Sequence, residues 1–338
     1  MRSGDNMADI EKLTFFQAIG AALDDAMAAD DKILVLGEDV ADKQGGGVMG
    51  VTRGLSAKYG DHRVRSTPIS EQAITGAAIG AALAGYKPVA EIMLMNFITV
   101  AMDMLVNHAA KLRFMSGGQT SVPIVVRTVT GSGFALGGQH SDHLEAWFAH
   151  VGGIKVIAPS NPADAYGLML SAIDDPDPVL FVENLIIGMA SGGGQIGQRN
   201  QRIPIGKASV PREGSNVTVI AYSRMVVEAL SAAAELDKEG ISVEVVDLRT
   251  VSPWDRETVL ASVAKTGRAL VVQEAPREFG VGAEIASEIS EALFADLKAP
   301  VARLGGPKCA VPYSSPLEQA FAPSAARIAE AVRALAGK

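Results

Sequence analysis

Apolar residues recur along this chain in two alternating rhythms. Phe16, Ile19, Leu23 and Met27 share one face of a helix that Thr14 caps and that runs to Ala29. Short apolar runs at 33–36, 88–93, 122–129, 155–158 and 179–182 read as strands. The near-continuous apolar character of 88–93 predicts burial on both faces of its sheet. Between these runs the spacing predicts helices over 51–59, 73–85, 97–115 and 144–150. Asn161-Pro162 opens another, and Ser116-Gly117-Gly118 stops the long one. Such alternation implies an α/β fold, a parallel sheet with helices on both faces. Residues 188–201 carry no usable periodicity and read as a linker. The rhythm then restarts, with strands over 217–221, 242–246, 269–273 and 300–303 and helices over 225–238, 256–264, 281–293 and 324–335. Two α/β domains follow, 1–204 and 205–338, with no internal repeat.

Composition narrows the picture. Of 338 residues, 48% are apolar and only 5% aromatic, so the core is aliphatic. A formal net charge of −8 without any basic block argues against nucleic acid as a partner. The single cysteine, Cys309, excludes an intrachain disulfide framework and a cysteine-rich metal site; it reads as a partly buried, inert thiol. No apolar run reaches the roughly 20 residues of a membrane span. Residues 1–12 carry Asp5, Asp9 and Glu11 and lack an apolar signal core, which points to a cytoplasmic, reducing compartment.

Candidate chemistry lies where strands end, because ligands of parallel sheets bind beyond the carboxyl ends of the strands. Glu38, Met93 with Phe97, and the loop 131–140 all follow strands directly and therefore share one rim. Pro68-Ile69-Ser70-Glu71-Gln72 ends an extended stretch and starts a helix, with Ser70 a good N-cap and Glu71 in the first turn. Gly76, Gly80 and Ala84 then recur every four residues, so another backbone can approach that helix face. Glu71 reads either as the grip on a reactive ring or as an acid that the positive helix end favours anyway. His140-Ser141-Asp142-His143 admits four readings: a metal site, a serine nucleophile, His140 alone as proton donor and acceptor, or a structural histidine beside a helix cap. Gly192-x-Gly194-x-x-Gly197 matches the dinucleotide fingerprint formally but neither leaves a strand nor opens a helix, and is rejected. A phosphate-binding loop is absent.

Taken together, Leu36-Gly37-Glu38-Asp39-Val40, Thr67-Pro68-Ile69-Ser70-Glu71, Met93-Leu94-Met95-Asn96-Phe97, Phe114-Met115-Ser116-Gly117-Gly118, Gln139-His140-Ser141, Val182-Glu183-Asn184 and Pro312-Tyr313-Ser314 form an ordered series across nearly the whole chain. That series resembles the β subunit of thiamine-diphosphate-dependent 2-oxo acid dehydrogenases. The resemblance implies a pyrimidine-binding N-terminal domain and a transketolase-type C-terminal domain. It also implies an α2β2 tetramer, with a second β subunit, whose cofactor lies between α and β. Glu71 then matches the glutamate that hydrogen-bonds the aminopyrimidine ring, Met93 and Phe97 its apolar wall, Glu38 an acid close to the cofactor, and His140 the histidine facing the substrate. A potassium site built largely of main-chain carbonyls would map to Ile124, Ala172, Ile173, Asp175 and Asp177. The Gly-Asp-Gly signature that binds diphosphate and Mg2+ is missing from this chain, and in the family the α subunit supplies it.

The implied reaction is oxidative decarboxylation of a 2-oxo acid with acyl transfer to a lipoyl disulfide on a dihydrolipoyl acyltransferase. Glu71 would share a proton with the ring while His140 orients the substrate. The C-terminal domain would serve β–β contact and acyltransferase docking, with Glu318 and the helix 324–335 as exposed candidates. Pyruvate, branched-chain 2-oxo acids and acetoin are the family's substrates. Gln139-His140-Ser141 suits the pyruvate and acetoin members, and the segment 46–55 looks like the acetoin-cleaving branch. Asp142 in place of the common glutamine and Ser66 in place of aspartate point to a different or narrower substrate. A reading from another class, a non-catalytic subunit that only binds a partner, has no use for Glu71, Met93, Phe97 and His140.

Overall fold

The structure, a computed structural model, describes residues 11–191 and 193–337. Within them the strands are β1 (Lys12–Leu13), β2 (Ile33–Glu38), β3 (Val64–Thr67), β4 (Lys87–Leu94), β5 (Val125–Thr130), β6 (Lys155–Ile157) and β7 (Val179–Asn184). They continue as β8 (Gly194–Gln195), β9 (Ser209–Arg212), β10 (Val217–Ala221), β11 (Val243–Asp247), β12 (Thr250–Ser252), β13 (Ala269–Pro276) and β14 (Ala302–Gly306). The α-helices are α1 (Phe15–Ala29), α2 (Leu55–Tyr59), α3 (Glu71–Leu83), α4 (Ala110–Met115), α5 (Glu145–Ala149) and α6 (Pro162–Asp174). After them come α7 (Leu185–Met189), α8 (Arg224–Leu236), α9 (Arg256–Thr266), α10 (Val281–Leu293), α11 (Ser315–Phe321) and α12 (Ala325–Ala336).

The first sheet has seven strands in the order β12-β6-β7-β5-β4-β2-β3, all parallel except β12, which enters from beyond residue 205 and pairs antiparallel with β6. A second sheet, β14-β13-β10-β11-β9, is parallel apart from its edge strand β9. Helix α1 begins as the sequence predicts: Thr14 Oγ1 accepts from Gln17 N while Gln17 Oε1 accepts from Thr14 N, a capping box. Its buried face, Phe15, Phe16, Ile19, Leu23 and Met27, joins α6 over one side of the first sheet. The other side is not a separate layer. Ile92, Ile124 and Val156 of the first sheet share one core with Ile220, Val246 and Val271 of the second, so the two domains bury a common apolar interior. Helices α8 and α12 cover the outer face of the second sheet.

Three expectations shift. The long helix over 97–115 breaks into a 3-10 stretch (Met95–Ala101), a π-turn stretch (Met104–Ala109) and α4. Ile98, Thr99 and Val100 are β-branched, and Thr99 Oγ1 donates to the Asn96 carbonyl, diverting a group the α-helical ladder would use. The helix over 51–59 forms only at α2, because Gly54 adopts φ +88 just before it. Cys309 is exposed, not partly buried. No described helix is long and apolar enough to cross a membrane.

Candidate active site

The carboxyl ends of β2, β4 and β5 and the start of α3 converge on one rim. Glu38 closes β2 and is half-buried; Asp39 follows it with φ +57. Burial pushes the Glu38 carboxyl above its ordinary range, and the neighbouring charges of Asp39 and Glu71 add to the rise. Glu71, also half-buried, opens α3 and makes no hydrogen bond or ion pair with a described residue. Ser70 occupies the N-cap position, yet its side chain makes no capping bond. Along the Gly76–Gly80–Ala84 face, a methyl group built on Gly76 would touch Met104 Sδ at 3.4 Å, while one built on Gly80 would meet nothing within 4 Å. Ile69, beside Glu71, is 74% exposed.

Across the rim stand Met93 and Phe97, both half-buried. The Phe97 ring meets His140 edge-on, centroids 5.4 Å apart. His140 Nδ1 is buried without a hydrogen-bond partner, so no described residue commits its proton. The loop that carries His140 is held from two sides. Asn96 donates to the Gly138 carbonyl (3.0 Å) and to Asp142 Oδ2 (2.8 Å) and accepts from Asp142 N (3.1 Å). From the second domain, Glu318 accepts from Gly133 N (2.6 Å) and Ala135 N (2.9 Å), and Tyr313 packs so tightly on Gly137 that an added methyl would lie 2.3 Å from its ring. Glu318, 3% exposed, is therefore no docking residue, and α12 turns Ile328, Ala329 and Val332 into the core.

Of the four residues 140–143, only His140 reaches the rim chemistry. Ser141 Oγ is buried without a partner, so no base activates it, and among the described residues no group of three His, Cys, Asp or Glu could hold a metal. Asp142 spends its carboxylate on Asn96, and Ser66 accepts from Ala41 N (2.9 Å) and donates to Gln44 (3.2 Å), fixing the turn after β2. Gly194 lies in β8 and opens no helix, while Gly192 lies outside the described residues. Sequence reasoning missed Glu91, Arg127 and Glu183, which form a buried acid–base–acid row across β4, β5 and β7. Arg127 donates to Glu91 (2.7 Å) and, bidentate, to Glu183 (2.7 and 3.0 Å). Burial pushes Glu183 up to about 7 against the pull of Arg127. Charged residues inside otherwise apolar strands were the available signal.

Residues 11–185 match the family model of the transketolase pyrimidine-binding domain, and residues 206–328 that of the transketolase C-terminal domain. The chain is 44% identical over 331 residues to the β subunit of acetoin:2,6-dichlorophenolindophenol oxidoreductase from Cupriavidus necator, covering 95% of this chain and 97% of that one. It belongs to the E1 β-subunit family of thiamine-diphosphate-dependent dehydrogenases. Other members stand equally near: the pyruvate dehydrogenase E1 β-2 subunit of rice mitochondria is 44% identical, covering 96% of this chain and 87% of that one. The Staphylococcus epidermidis E1 β subunit is 42% identical, covering 96% and 98%. A solved split-gene transketolase, described as an inactive β4 tetramer, shares the fold with a TM-score of 0.77 at 23% identity, covering 97% of this chain and 99% of that one. The E1 β family uses both domains seen here, and the rim lies in the pyrimidine-binding one.

Proposed function

We propose that this chain is the β subunit of a pyruvate-like 2-oxo acid dehydrogenase, that its partner is an α subunit, and that Glu71 and His140 are its catalytic residues. One observation carries this reading: two half-buried carboxylates, Glu38 and Glu71, meet at a rim opposite the Phe97–His140 contact, with no cation among the described residues paired to either. Unpaired acids cost stability unless something else satisfies them. A ring nitrogen able to share a proton with Glu71 would fit that donor set, with Met93 and Phe97 as its apolar wall. Thiamine diphosphate, when bound, supplies a carbon nucleophile and an electron sink beside the substrate carbonyl.

The residues of this chain do the rest. Glu71 shares a proton with the ring, and burial together with the charges of Asp39 and Glu71 holds the Glu38 carboxyl above its ordinary range. Met93 and Phe97 exclude water from that proton. His140 presents an uncommitted imidazole for the proton that moves when the acyl unit leaves for a lipoyl disulfide on a dihydrolipoyl acyltransferase. The α subunit would bring the diphosphate and Mg2+ ligands and cover the rim. The open surface at Gly80 of α3 and the exposed Ile69 suit that closure. A second β subunit completes α2β2.

Potassium belongs to the same reading, at the amino ends of β5 and β7. Lys155 Nζ already pairs with Asp175 (2.6 and 2.7 Å) and Asp177 (3.3 Å), and Arg113 with Asp177 (2.7 Å). A cation there would rely on the carbonyls of Ile124, Ala172, Ile173, Asp175 and Asp177, not on the two carboxylates. The division into domains at 204/205 is part of the proposal as well.

Reconstitution with its α subunit, assayed against pyruvate, 2-oxoisovalerate and acetoin with an artificial electron acceptor, tests the whole. Pyruvate is expected to turn over fastest. Acetoin ahead of pyruvate would favour the second reading, acetoin cleavage, which the segment 46–55 supports. Turnover of none of the three, with the complex formed, would leave a partner-binding subunit.

A further inference from the structure

His143 is used by none of the chemistry above, yet it is buried among charges. Its side chain is only 5% exposed, with Nε2 3.5 Å from Glu274 Oε1 and Nδ1 4.0 Å from Glu145 Oε2. Glu274 comes from β13 of the second domain. It accepts from Ser132 N (3.0 Å), Ser132 Oγ (2.8 Å), Asn184 Nδ2 (2.9 Å) and Arg224 (3.1 Å), whereas its approach to His143 Nε2, like that of Glu145 Oε2 to His143 Nδ1, is an ion-pair contact without a hydrogen bond. Glu145, on α5, accepts from the Tyr222 hydroxyl at the end of β10 (2.6 Å). Ser132 and His143 bracket the loop that holds His140, so a single carboxylate of the second domain reaches both ends of it.

Glu274 and Glu145 face Arg224 and His143, and Arg224 is shared with Glu228 (3.5 Å); with a neutral imidazole, the two buried carboxylates are left with a single guanidinium that a third acid already draws on. We propose that His143, as an imidazolium, is a positioning residue that pins the His140 loop to the C-terminal domain, so that its deprotonation loosens the loop and lowers turnover. Burial opposes the charge, but Glu274 and Glu145 outweigh it and hold His143 above its ordinary value, with Arg224 acting against them. With its folded-state value raised, the stabilising contribution is complete below about pH 6.5 and is lost as pH rises through the folded value.

The inference borrows from the proposed function only the role of His140, and its test separates the two. In the α2β2 complex, nitrogen NMR of the wild type should find His143 protonated at pH 7, and loop 131–143 should lose hydrogen-exchange protection as it titrates. His143→Gln should show the unprotected loop at every pH, with kcat lowered roughly tenfold, KM little changed and the high-pH fall in kcat abolished. A neutral His143 at pH 7, or a His143→Gln complex with wild-type protection and the wild-type pH profile, would overturn the proposal. Failure of the His140 role would show separately, as full activity in His140→Ala with the loop protection of His143 intact.

Discussion

Two parallel sheets in this chain end very differently. In the first, the carboxyl ends of β2, β4 and β5 and the start of α3 leave Glu38, Glu71, Met93, Phe97 and His140 on an open rim, half-buried and largely unpaired. In the second, the equivalent ends are spent on the neighbouring domain. Tyr222 after β10 reaches Glu145, Asp247 at the end of β11 accepts from Ser160, Glu274 of β13 grips Ser132 and Asn184, and Glu318 after β14 holds the 133–135 backbone. Strand-end loops bring polar groups together in either case. Whether they become a site or a joint depends on what stands opposite. The first rim leaves Glu71 without a side-chain partner among the described residues, as the proposed ligand site requires; the second meets the first domain and holds the loop that carries His140.

The contrast breaks most visibly at Glu71. Glu71→Gln in the reconstituted complex should leave the melting temperature unchanged and cut turnover by about 10²–10⁴-fold. Wild-type proton exchange at the reactive carbon of bound thiamine diphosphate in that variant would remove Glu71 from the mechanism. The joint should answer in the opposite currency: Glu318→Ala strips a buried acceptor from two backbone N–H groups and should cost about 1.5–3 kcal/mol in denaturant unfolding. An unchanged midpoint would show that the joint does not depend on it.

A smaller effect lies in the pH dependence of the joint. Burial, with Asp164 adding to it, pushes Asp247 up to about 7, so the folded chain holds this proton more tightly than the unfolded chain, whose aspartates titrate near 3.8. Stability from this group is therefore fully present below about pH 3.8 and is lost as pH rises through about 7. Asp247→Asn should narrow the gap in thermal stability between pH 5 and pH 8; an unchanged gap would place the titration elsewhere. Least of all is expected from Lys43→Ala, which removes an ion pair 65% exposed on both sides, and its melting curve should overlay the wild type. A measurable drop would mean that surface charge, and not the two strand-end clusters, governs stability here.

Legibility followed periodicity. Helix α1 and strands such as Val217–Ala221 were readable because each buries one repeating face or a continuous run, a signal carried by neighbouring residues. The rim was readable too, since Glu38 and Met93 stand at the carboxyl ends of β2 and β4, Phe97 lies just past β4, and Glu71 follows a proline–serine stop. Among the short elements, β3, β9, β12, α7 and α11 escaped; β3 (Val-Arg-Ser-Thr), β9 (Ser-Val-Pro-Arg) and β12 (Thr-Val-Ser) lack the continuous apolar run that made β6 and β10 readable. The long helix was over-read because the β-branched run 98–100 and the Thr99 hydroxyl, which donates to the Asn96 carbonyl, turn its first stretch into 3-10 winding.

The sequence alone determined the alternation of strands and helices, the family, and which acid and which histidine stand at strand ends, since all of these rest on local order and spacing. Only the tertiary structure decided that Glu318 is a buried clamp, that Asp142 and Ser66 are bound within the chain, and that His143 sits between two carboxylates from different elements. Glu274 and His143 are 131 residues apart in sequence and 3.5 Å apart in space. No periodicity encodes such a pair, because burial and charge pairing are properties of the packed interface and not of the local chain.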